Sequence, residues 1–268
     1  MYDVLNNGLL YPYLTGLIQP QTDTGAILLY LGCLALCMLV GYLLGSLSPA
    51  ILISRIFFRG DVREHGSGNA GTTNMLRTYG VGAALVTFFG DVLKSVLAVF
   101  SAFLIMGADW VGYGFSFSTG AHLAGLFCVI GHVLPLYYRF KGGKGVLCTA
   151  SVVGCLCPWV TVLLVLIFVI TVAITKYVSL GSVLGAAVYP LFYAVLTRAL
   201  FGGLPLPLEM LLCAFGMMGI ILWKHRGNID RLRRGEERRL GQRTANPVVE
   251  IITEIADPPS REDDGEEP

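Results

Sequence analysis

The stretch PWVTVLLVLIFVITVAIT, from Pro158 to Thr175, decides the fold class. It contains no charged residue, and its length approaches the roughly 20 residues that an α-helix needs to cross a hydrocarbon core about 30 Å thick. Unpaired backbone polar groups are too costly in lipid, so such a segment has to be helical. The stretch therefore predicts a transmembrane helix.

The composition of the whole chain agrees with a membrane location. Of 268 residues, 54% are hydrophobic and 14% are charged, with a net charge of +1, whereas soluble proteins carry about 25% charged residues. These values exclude a disordered chain and a small secreted disulfide scaffold. The seven cysteines lie mostly in apolar runs, so we expect buried thiols and not disulfides or metal ligands.

Six further apolar segments are candidate spans. They cover residues 26–53, 80–107, 119–138, 145–157, 183–201 and 209–223. The segment 145–157 is short, so it is either a span of its own or the first part of a broken helix that continues through Pro158. The candidate spans make up one domain, residues 26–240. Residues 1–25 precede this domain and lack the basic start of a signal peptide. The acidic tail, 241–268, is expected to be disordered.

The distribution of basic residues decides between six and seven spans. Of the 19 lysines and arginines, 17 lie at 55–77, 139–144, 176 and beyond 223, whereas the connections 108–118 and 202–208 contain none. Basic loops are normally cytoplasmic. Seven spans place every basic segment on that side and the amino terminus outside, whereas six would place the basic carboxyl-terminal segment outside. We therefore predict an all-α integral membrane protein with seven spans.

The loop after the first span combines glycines with short polar side chains. It reads REHGSGNAGTTNMLR, from Arg63 to Arg77. Backbone amides in such a loop can turn inward and bind an anion, phosphate above all, and Arg77 can add a bidentate pair of donors. Its glycines are Gly66, Gly68 and Gly71, and its short polar side chains are Ser67, Asn69, Thr72, Thr73 and Asn74. A polar turn that caps a helix is the alternative interpretation.

A second loop, FKGGKG from Phe140 to Gly145, has similar chemistry over a shorter length. Gly142 and Gly143 let the backbone approach a ligand closely, and Lys144 offers a positive charge to a phosphate. The loop is not a Walker A motif, because the spacing G-x-x-x-x-G-K-[ST] is missing. A basic anchor at the membrane surface is an equally good interpretation of this loop alone.

Two more segments on the predicted cytoplasmic side carry polar groups. Ser179 precedes the span 183–201, and His225 and Asn228 follow the last span at a spacing that puts them on one face of a helix. A histidine at a helix end is also a common cap. The convergence of four separated polar segments on one side of the membrane favours a common phosphate-binding site.

Ionisable residues also occur inside the predicted spans. Asp91 and Lys94 lie three residues apart in an apolar segment, and the next span contains His122 and His132. Intramembrane ionisable groups are costly and often functional. For Asp91 and Lys94, the alternative is an ion pair that only orients the helix.

Four motifs, in order along the chain, resemble those of the bacterial membrane acyl-phosphate:glycerol-3-phosphate acyltransferase family. They are SGNAGTTN with LR at 67–77, GHVLP followed by FKGGKGV at 131–146, SLG at 179–181, and HRGNI with RL at 225–232. The resemblance covers about residues 41–239. Ala70 stands where the family usually has proline, and Leu147-Cys148-Thr149 replaces its Ala-Thr-Ala, which puts a role for threonine there in doubt.

The resemblance implies a seven-span enzyme of the bacterial inner membrane with its site facing the cytoplasm. It would transfer a fatty acyl group from acyl phosphate to the 1-hydroxyl of glycerol 3-phosphate, the first acylation of phospholipid synthesis, without metal or other cofactor. In the glycine-rich loop, phosphate would be held by Ser67, Gly68, Asn69, Gly71, Thr73 and Asn74. The residues that would hold glycerol 3-phosphate and stabilise charge are Arg77, Lys144, Ser179, His225 and Asn228. Either the substrate phosphate or His225 would accept the hydroxyl proton.

The implied partners are acyl phosphate, glycerol 3-phosphate, membrane lipid and an enzyme that forms acyl phosphate, with no nucleic acid. A transporter of phosphorylated anions is the main alternative, because it would use the same basic loops. Transporter sites usually lie near the membrane midplane between repeated halves, and the sequence has no internal repeat. A scaffold without activity would not need four converging polar segments. The acyltransferase is therefore our prediction.

Overall fold

The apolar runs of the sequence form helices throughout the computed structural model, which describes residues 8–18, 22–107, 110–111, 115–116, 118–200 and 207–241. Within these residues the α-helices are α1 (Leu10–Ile18), α2 (Asp23–Ser46), α3 (Pro49–Phe57), α4 (Thr72–Tyr79), α5 (Val81–Met106), α6 (Thr119–Val133), α7 (Val146–Leu156), α8 (Pro158–Thr175), α9 (Val178–Leu200), α10 (Leu208–Lys224) and α11 (Arg226–Arg234). Short 3₁₀ helices span Val62–Glu64 and Leu136–Tyr138. Strands β1 (Trp110–Val111) and β2 (Phe115–Ser116) pair antiparallel between α5 and α6. The predicted acidic tail, beyond Gly241, lies outside the described residues.

Five helical segments are long and apolar enough to cross a membrane. They are Asp23–Phe57, Val81–Met106, Thr119–Tyr138, Pro158–Thr175 and Val178–Ala199. Helices α10 and α11 meet the same criterion only together, with a bend of 53° between them, and α7 is a shorter apolar helix. Only 6% of the α8 segment is buried inside the protein, as expected for a helix that faces lipid. The multi-pass membrane fold is therefore confirmed, and the count of seven spans stays a prediction.

Two predicted boundaries differ from the observed ones. The first predicted span is broken at Leu47 and Ser48, because α3 starts at Pro49, whose missing N–H is tolerated in a first helical turn. Helix α9 begins at Val178, five residues before the predicted start. Ser179 therefore lies in the first turn of a helix and not in a loop.

Glycines set the contact between α2 and α6. A Cβ atom on Gly41 would overlap the backbone of Ala124, and one on Gly45 would overlap the backbone of Cys128. Gly131 approaches α2 in the same way from the other side. Small residues four apart let membrane helices pack backbone to backbone. This contact holds the end of α6, which leads into the loop 140–145, next to the end of α2, from which α3 leads on to the glycine-rich loop 63–77.

The basic segments meet at one end of the bundle. We call this the basic end and define it as residues 58–80, 134–145, 176–179 and 225–241. Arg238 donates a hydrogen bond to the carbonyl of Gly66 at 3.1 Å, and the amide of Leu240 donates to the carbonyl of Lys176 at 2.7 Å. At the other end, the amide of Leu9 donates to the carbonyl of Leu104 at 2.7 Å, which places α1 opposite the basic end.

Candidate active site

The glycine-rich loop folds around the side chain of Asn74. The amide nitrogen of Asn74 donates to the carbonyls of Val62 and His65, both at 3.0 Å, and its oxygen accepts from the amide of Ser67 at 2.8 Å. Gly66 has a φ of 61°, and a Cβ atom there would overlap the Asn74 oxygen. Asn74 is buried. It was predicted as a phosphate ligand, but the structure places it inside the loop, where it braces the backbone.

The guanidinium of Arg63 joins the glycine-rich loop to the lysine-containing loop, Phe140–Gly145. The Nε and Nη2 atoms of Arg63 donate to the carboxylate of Asp61 at 2.9 and 2.6 Å. Its Nη1 atom donates to the carbonyls of Tyr138 and Lys141 at 3.0 and 3.1 Å. These hydrogen bonds from Arg63 hold the pKa of the Asp61 carboxyl below its usual value. The two loops therefore form one surface.

The lysine-containing loop rests on His132, at the end of α6. The amide of Gly143 donates to the carbonyl of His132 at 3.0 Å. A Cβ atom on Gly142 would overlap that carbonyl, and one on Gly143 would overlap the imidazole Nε2 and press on the carbonyl of Ala70. The structure therefore explains both glycines by their packing on His132. Gly142 also lines the cavity described below.

A chain of polar contacts runs from the lysine loop to the segment after α11. Lys144 Nζ donates a short hydrogen bond to the side-chain oxygen of Asn228. The Asn228 nitrogen donates to the carboxylate of Glu237 at 2.6 Å, and Arg231 Nε donates to the same carboxylate at 2.8 Å. The buried Ser179 hydroxyl lies beside it. Helix α11 and the start of α9 thus meet at one carboxylate, and Lys144 joins them through Asn228, so this set of donors can bind an anion.

Burial and neighbouring charges shift the pKa values of the residues in this series of polar contacts. Burial raises the pKa of Glu237, but hydrogen bonds, led by that from Asn228, outweigh burial and hold it below its usual value. Burial lowers the pKa of Lys144 to about 8, and the nearby cations Arg231, Lys224 and Arg77 contribute to the decrease. The Lys144 ammonium consequently loses its proton at a lower pH than an exposed lysine does.

A cavity of about 840 Å³ opens at the basic end, next to the polar contacts of Lys144, Asn228 and Arg231. It is lined by six of the predicted site residues, namely Ser67, Gly68, Asn69, Gly142, Lys144 and Asn228. Its other charged lining residues are Asp61, Arg63, Glu64, Arg139, Lys141, Lys224, Arg226, Asp230 and Arg231. Seven basic side chains against three acidic ones make the cavity cationic. Its size and charge suit a phosphorylated small molecule.

His225 and Arg77 adjoin the same charges. His225 lies buried at the bend between α10 and α11, and its Nδ1 donates to the carbonyl of Ile221 at 2.8 Å, which leaves Nε2 as an acceptor. Burial, followed by the charge of Lys144, lowers the pKa of His225 to about 4. Burial and Arg238 likewise lower the pKa of Arg77. The imidazole of His225 is therefore neutral at pH 7.

Two predicted ligands at the start of α4 do not line the cavity. Gly71 caps the start of α4, and Thr73 is exposed in the first turn of that helix; neither belongs to the cavity lining in the described residues. Glu237 and Arg231, by contrast, were not among the predicted site residues. The only signal for Glu237 in the sequence was an acidic pair within the basic run RLRRGEERRL at 231–240.

In the described part of the chain, one group of side chains has the composition of a metal site. Potential ligand atoms of Asp91, His132 and Cys148 lie within 4.8 Å of one another. The Lys94 ammonium, however, lies 2.9 Å from Asp91 Oδ1 and 2.9 Å from His132 Nδ1. A positive charge already occupies this group, so the residues do not fit a metal ion.

Comparison with known proteins identifies the family. The family model for glycerol-3-phosphate acyltransferase matches residues 35–235. The chain belongs to the glycerol-3-phosphate acyltransferase family. The acyltransferase is 41% identical to the glycerol-3-phosphate acyltransferase of Finegoldia magna over 208 residues, which cover 76% of this chain and 94% of the relative. It is 39% identical to that of Synechococcus elongatus over 205 residues, 76% and 93% of the two chains.

Solved structures agree with this assignment. The acyltransferase is similar to the crystal structure of PlsY (YgiH), an integral membrane glycerol 3-phosphate acyltransferase, in its glycerol 3-phosphate form. The TM-score is 0.65 at 30% identity, over 82% of this chain and 98% of PlsY. The lysophosphatidic acid form of PlsY gives a TM-score of 0.63 at 30% identity, over 78% and 95% of the two chains. The family predicted from the four motifs is confirmed.

Proposed function

We propose that this acyltransferase moves a fatty acyl group from acyl phosphate to the 1-hydroxyl of glycerol 3-phosphate and releases lysophosphatidic acid and inorganic phosphate. The observation that carries the proposal is the convergence of Lys144, Asn228 and Arg231 beside a cationic cavity that the glycine-rich loop also lines. This arrangement offers binding groups for two anions at one cavity. Two phosphorylated substrates need such a pair.

The loop and the polar chain take different substrates in this proposal. The backbone and side chains of Ser67, Gly68 and Asn69 hold the phosphate of the acyl donor, supported by Gly71 and Thr73. The residues that hold glycerol 3-phosphate and stabilise negative charge are Arg77, Lys144, Ser179, His225 and Asn228. Glycerol 3-phosphate competes with Glu237 for the donors of Asn228, because the carboxylate and the substrate phosphate accept the same hydrogen bonds.

The proposed reaction is a direct acyl transfer. The 1-hydroxyl oxygen bonds to the acyl carbonyl carbon, the bond from that carbon to the phosphate oxygen breaks, and phosphate leaves with the electron pair. A phosphate leaving group makes this step easy, so orientation and charge stabilisation contribute most of the rate. His225, with a pKa of about 4, is a weak base. The substrate phosphate, whose second pKa is about 6, is therefore the proposed proton acceptor.

The proposed membrane placement follows from the charges at the basic end. Seven spans, counting both α7 and α10, put the basic end and the cavity in the cytoplasm of a bacterial cell and the amino terminus outside the inner membrane. The seven-span domain is taken as 26–240. A cytoplasmic site gives access to soluble glycerol 3-phosphate. Acyl phosphate is reactive, which favours a functional link to the enzyme that forms it.

Turnover by the purified protein tests this proposal. With palmitoyl phosphate and glycerol 3-phosphate, we expect equal amounts of lysophosphatidic acid and inorganic phosphate, and no product with palmitoyl-CoA. Arg77→Ala and Lys144→Ala should each lose most activity while remaining folded. Arg198→Ala is the matched control, because Arg198 is exposed on α9 at the other end of the bundle. Full activity in either site variant would refute the site. Uptake of glycerol 3-phosphate by proteoliposomes without turnover would favour a transporter.

A further inference from the structure

A buried group of charges lies beneath the lysine-containing loop, apart from the cavity. Asp91 and Lys94, one helical turn apart on α5, are 2% and 3% exposed, and His132 on α6 is 6% exposed. Taking ionisable groups out of water and into a membrane protein costs several kcal/mol each unless they are paired. A group of three at one level of the bundle therefore needs an explanation.

The Lys94 ammonium lies at the centre of this group. It is 2.9 Å from the carboxylate of Asp91 and 2.9 Å from Nδ1 of His132. It also donates to the carbonyls of Gly45 and Leu47, at 3.1 and 2.6 Å. Those two carbonyls lack helical partners because α2 ends at Ser46 and Pro49 cannot donate. Lys94 thereby joins α5, α6 and the end of α2.

His132 connects the buried charged group to the lysine-containing loop. With Nδ1 facing the ammonium, its Nε2 side lies against Gly143. Its backbone carbonyl accepts the hydrogen bond from the Gly143 amide. The residue after Gly143 is Lys144, whose ammonium contacts Asn228. One imidazole thus contacts the buried charges on one side and the support of Lys144 on the other.

An ion pair that only orients α5 does not account for this geometry. Such a pair needs Asp91 and Lys94 alone, whereas the ammonium also bonds to His132, and His132 lies 3.4 Å from Asp91. A buried network of hydrogen bonds and ion pairs restricts the orientations of its side chains. The ring of His132 is therefore held in one orientation by both Asp91 and Lys94.

We propose that Asp91, Lys94 and His132 are positioning residues for Lys144. The two charged residues fix the imidazole, and the imidazole fixes the backbone from which the Lys144 ammonium reaches glycerol 3-phosphate. The inference rests on the proposed function for the identity of that substrate. Loss of the network should weaken glycerol 3-phosphate binding, although the three residues act through Lys144 and not by contact with the ligand.

The test compares two histidines of the same helix. His132→Ala should raise the dissociation constant for glycerol 3-phosphate about tenfold, because a small displacement of a binding group is costly. His122→Ala is the matched control: His122 is equally buried on α6 and hydrogen-bonded, to Tyr193 at 2.6 Å, but lies near the opposite end. It should lower thermal stability similarly and leave the dissociation constant within about twofold. Isothermal titration calorimetry and thermal melting measure both quantities without turnover.

A double variant distinguishes positioning from general damage. His132→Ala in a Lys144→Ala background should produce no further loss of binding, because its effect passes through Lys144. If His132→Ala does not fold, Asp91→Asn keeps the size and one oxygen, and should still weaken binding severalfold. Unchanged binding in the folded variant, equal losses in His122→Ala, or additive losses in the double variant would overturn the inference.

The same measurements separate the inference from the proposed function. If wild-type protein binds glycerol 3-phosphate but does not turn over acyl phosphate, the proposed function is refuted. The comparison of His132→Ala with His122→Ala then still tests the inference. Binding is also measured with inorganic phosphate as a second probe. Wild-type protein that binds neither anion would overturn both.

Discussion

The charge of Lys144 should control activity above neutral pH. Burial lowers the pKa of Lys144 from 10.5 to about 8, so the ammonium is about 90% populated at pH 7 and about 10% at pH 9. Since kcat/KM reports groups of the free enzyme, kcat/KM for glycerol 3-phosphate should fall roughly ninefold over this interval. The substrate phosphate does not contribute, because its second pKa is about 6.

Deprotonation of Lys144 does not itself destabilise the folded protein. The unfolded chain holds the Lys144 proton up to pH 10.5, whereas the folded protein releases it near pH 8. Between these values the unfolded state binds more protons, so this residue makes the folded state more stable as the pH rises. A falling kcat/KM together with unchanged or higher thermal stability is therefore the signature of Lys144 deprotonation.

Two variants provide the comparison for this pH profile. Lys144→Arg keeps its charge to above about pH 12, so its kcat/KM, at whatever level, should not fall between pH 7 and 9. Lys141→Ala removes a neighbouring exposed cation of the same loop and should retain the wild-type slope. The assay is initial-rate release of phosphate from palmitoyl phosphate. A flat wild-type profile, or an equal slope in Lys144→Arg, would refute the reasoning.

Three other substitutions follow from the contacts of the site. Glu237→Gln removes a charge that raises the pKa of Lys144, so the fall in kcat/KM should move to lower pH; a profile that stays in place would contradict this coupling. Asn74→Ala removes three hydrogen bonds of the loop and leaves the Ser67 amide unpaired, and should lower stability by about 2–4 kcal/mol in chemical unfolding, whereas an unchanged midpoint would argue against the brace. Gly143→Ala forces a methyl group against His132 and should raise KM for glycerol 3-phosphate about tenfold, while Gly82→Ala, with open space around it, should leave KM unchanged.

Local sequence properties predicted the helices and the four basic segments. Hydrophobic length identifies a span such as Pro158–Thr175 wherever it packs, because the lipid and not a specific partner determines its conformation. Charge in the loops likewise depends on no partner. The resemblance of the motifs then predicted Lys144 and Asn228 as members of one site. These two residues are 84 positions apart and in contact.

The remaining features depend on tertiary contacts that no local pattern encodes. Arg238 reaches Gly66 across 172 positions, and Glu237 enters the site only because the chain turns back after α11. Asn74 has the composition of a phosphate ligand, yet its direction depends on the loop fold that it stabilises. The glycines of the lysine loop indicated a close approach, and the structure identifies the approaching group as His132.

The position of glycerol 3-phosphate bound to this protein tests the account most directly. A crystal or cryo-electron microscopy structure of the complex should place the substrate phosphate within about 3 Å of Lys144 Nζ, beside Asn228 and Arg77, with the 1-hydroxyl directed towards Ser67–Asn69. A phosphate bound at Arg139 or Lys141, away from Lys144, would contradict it.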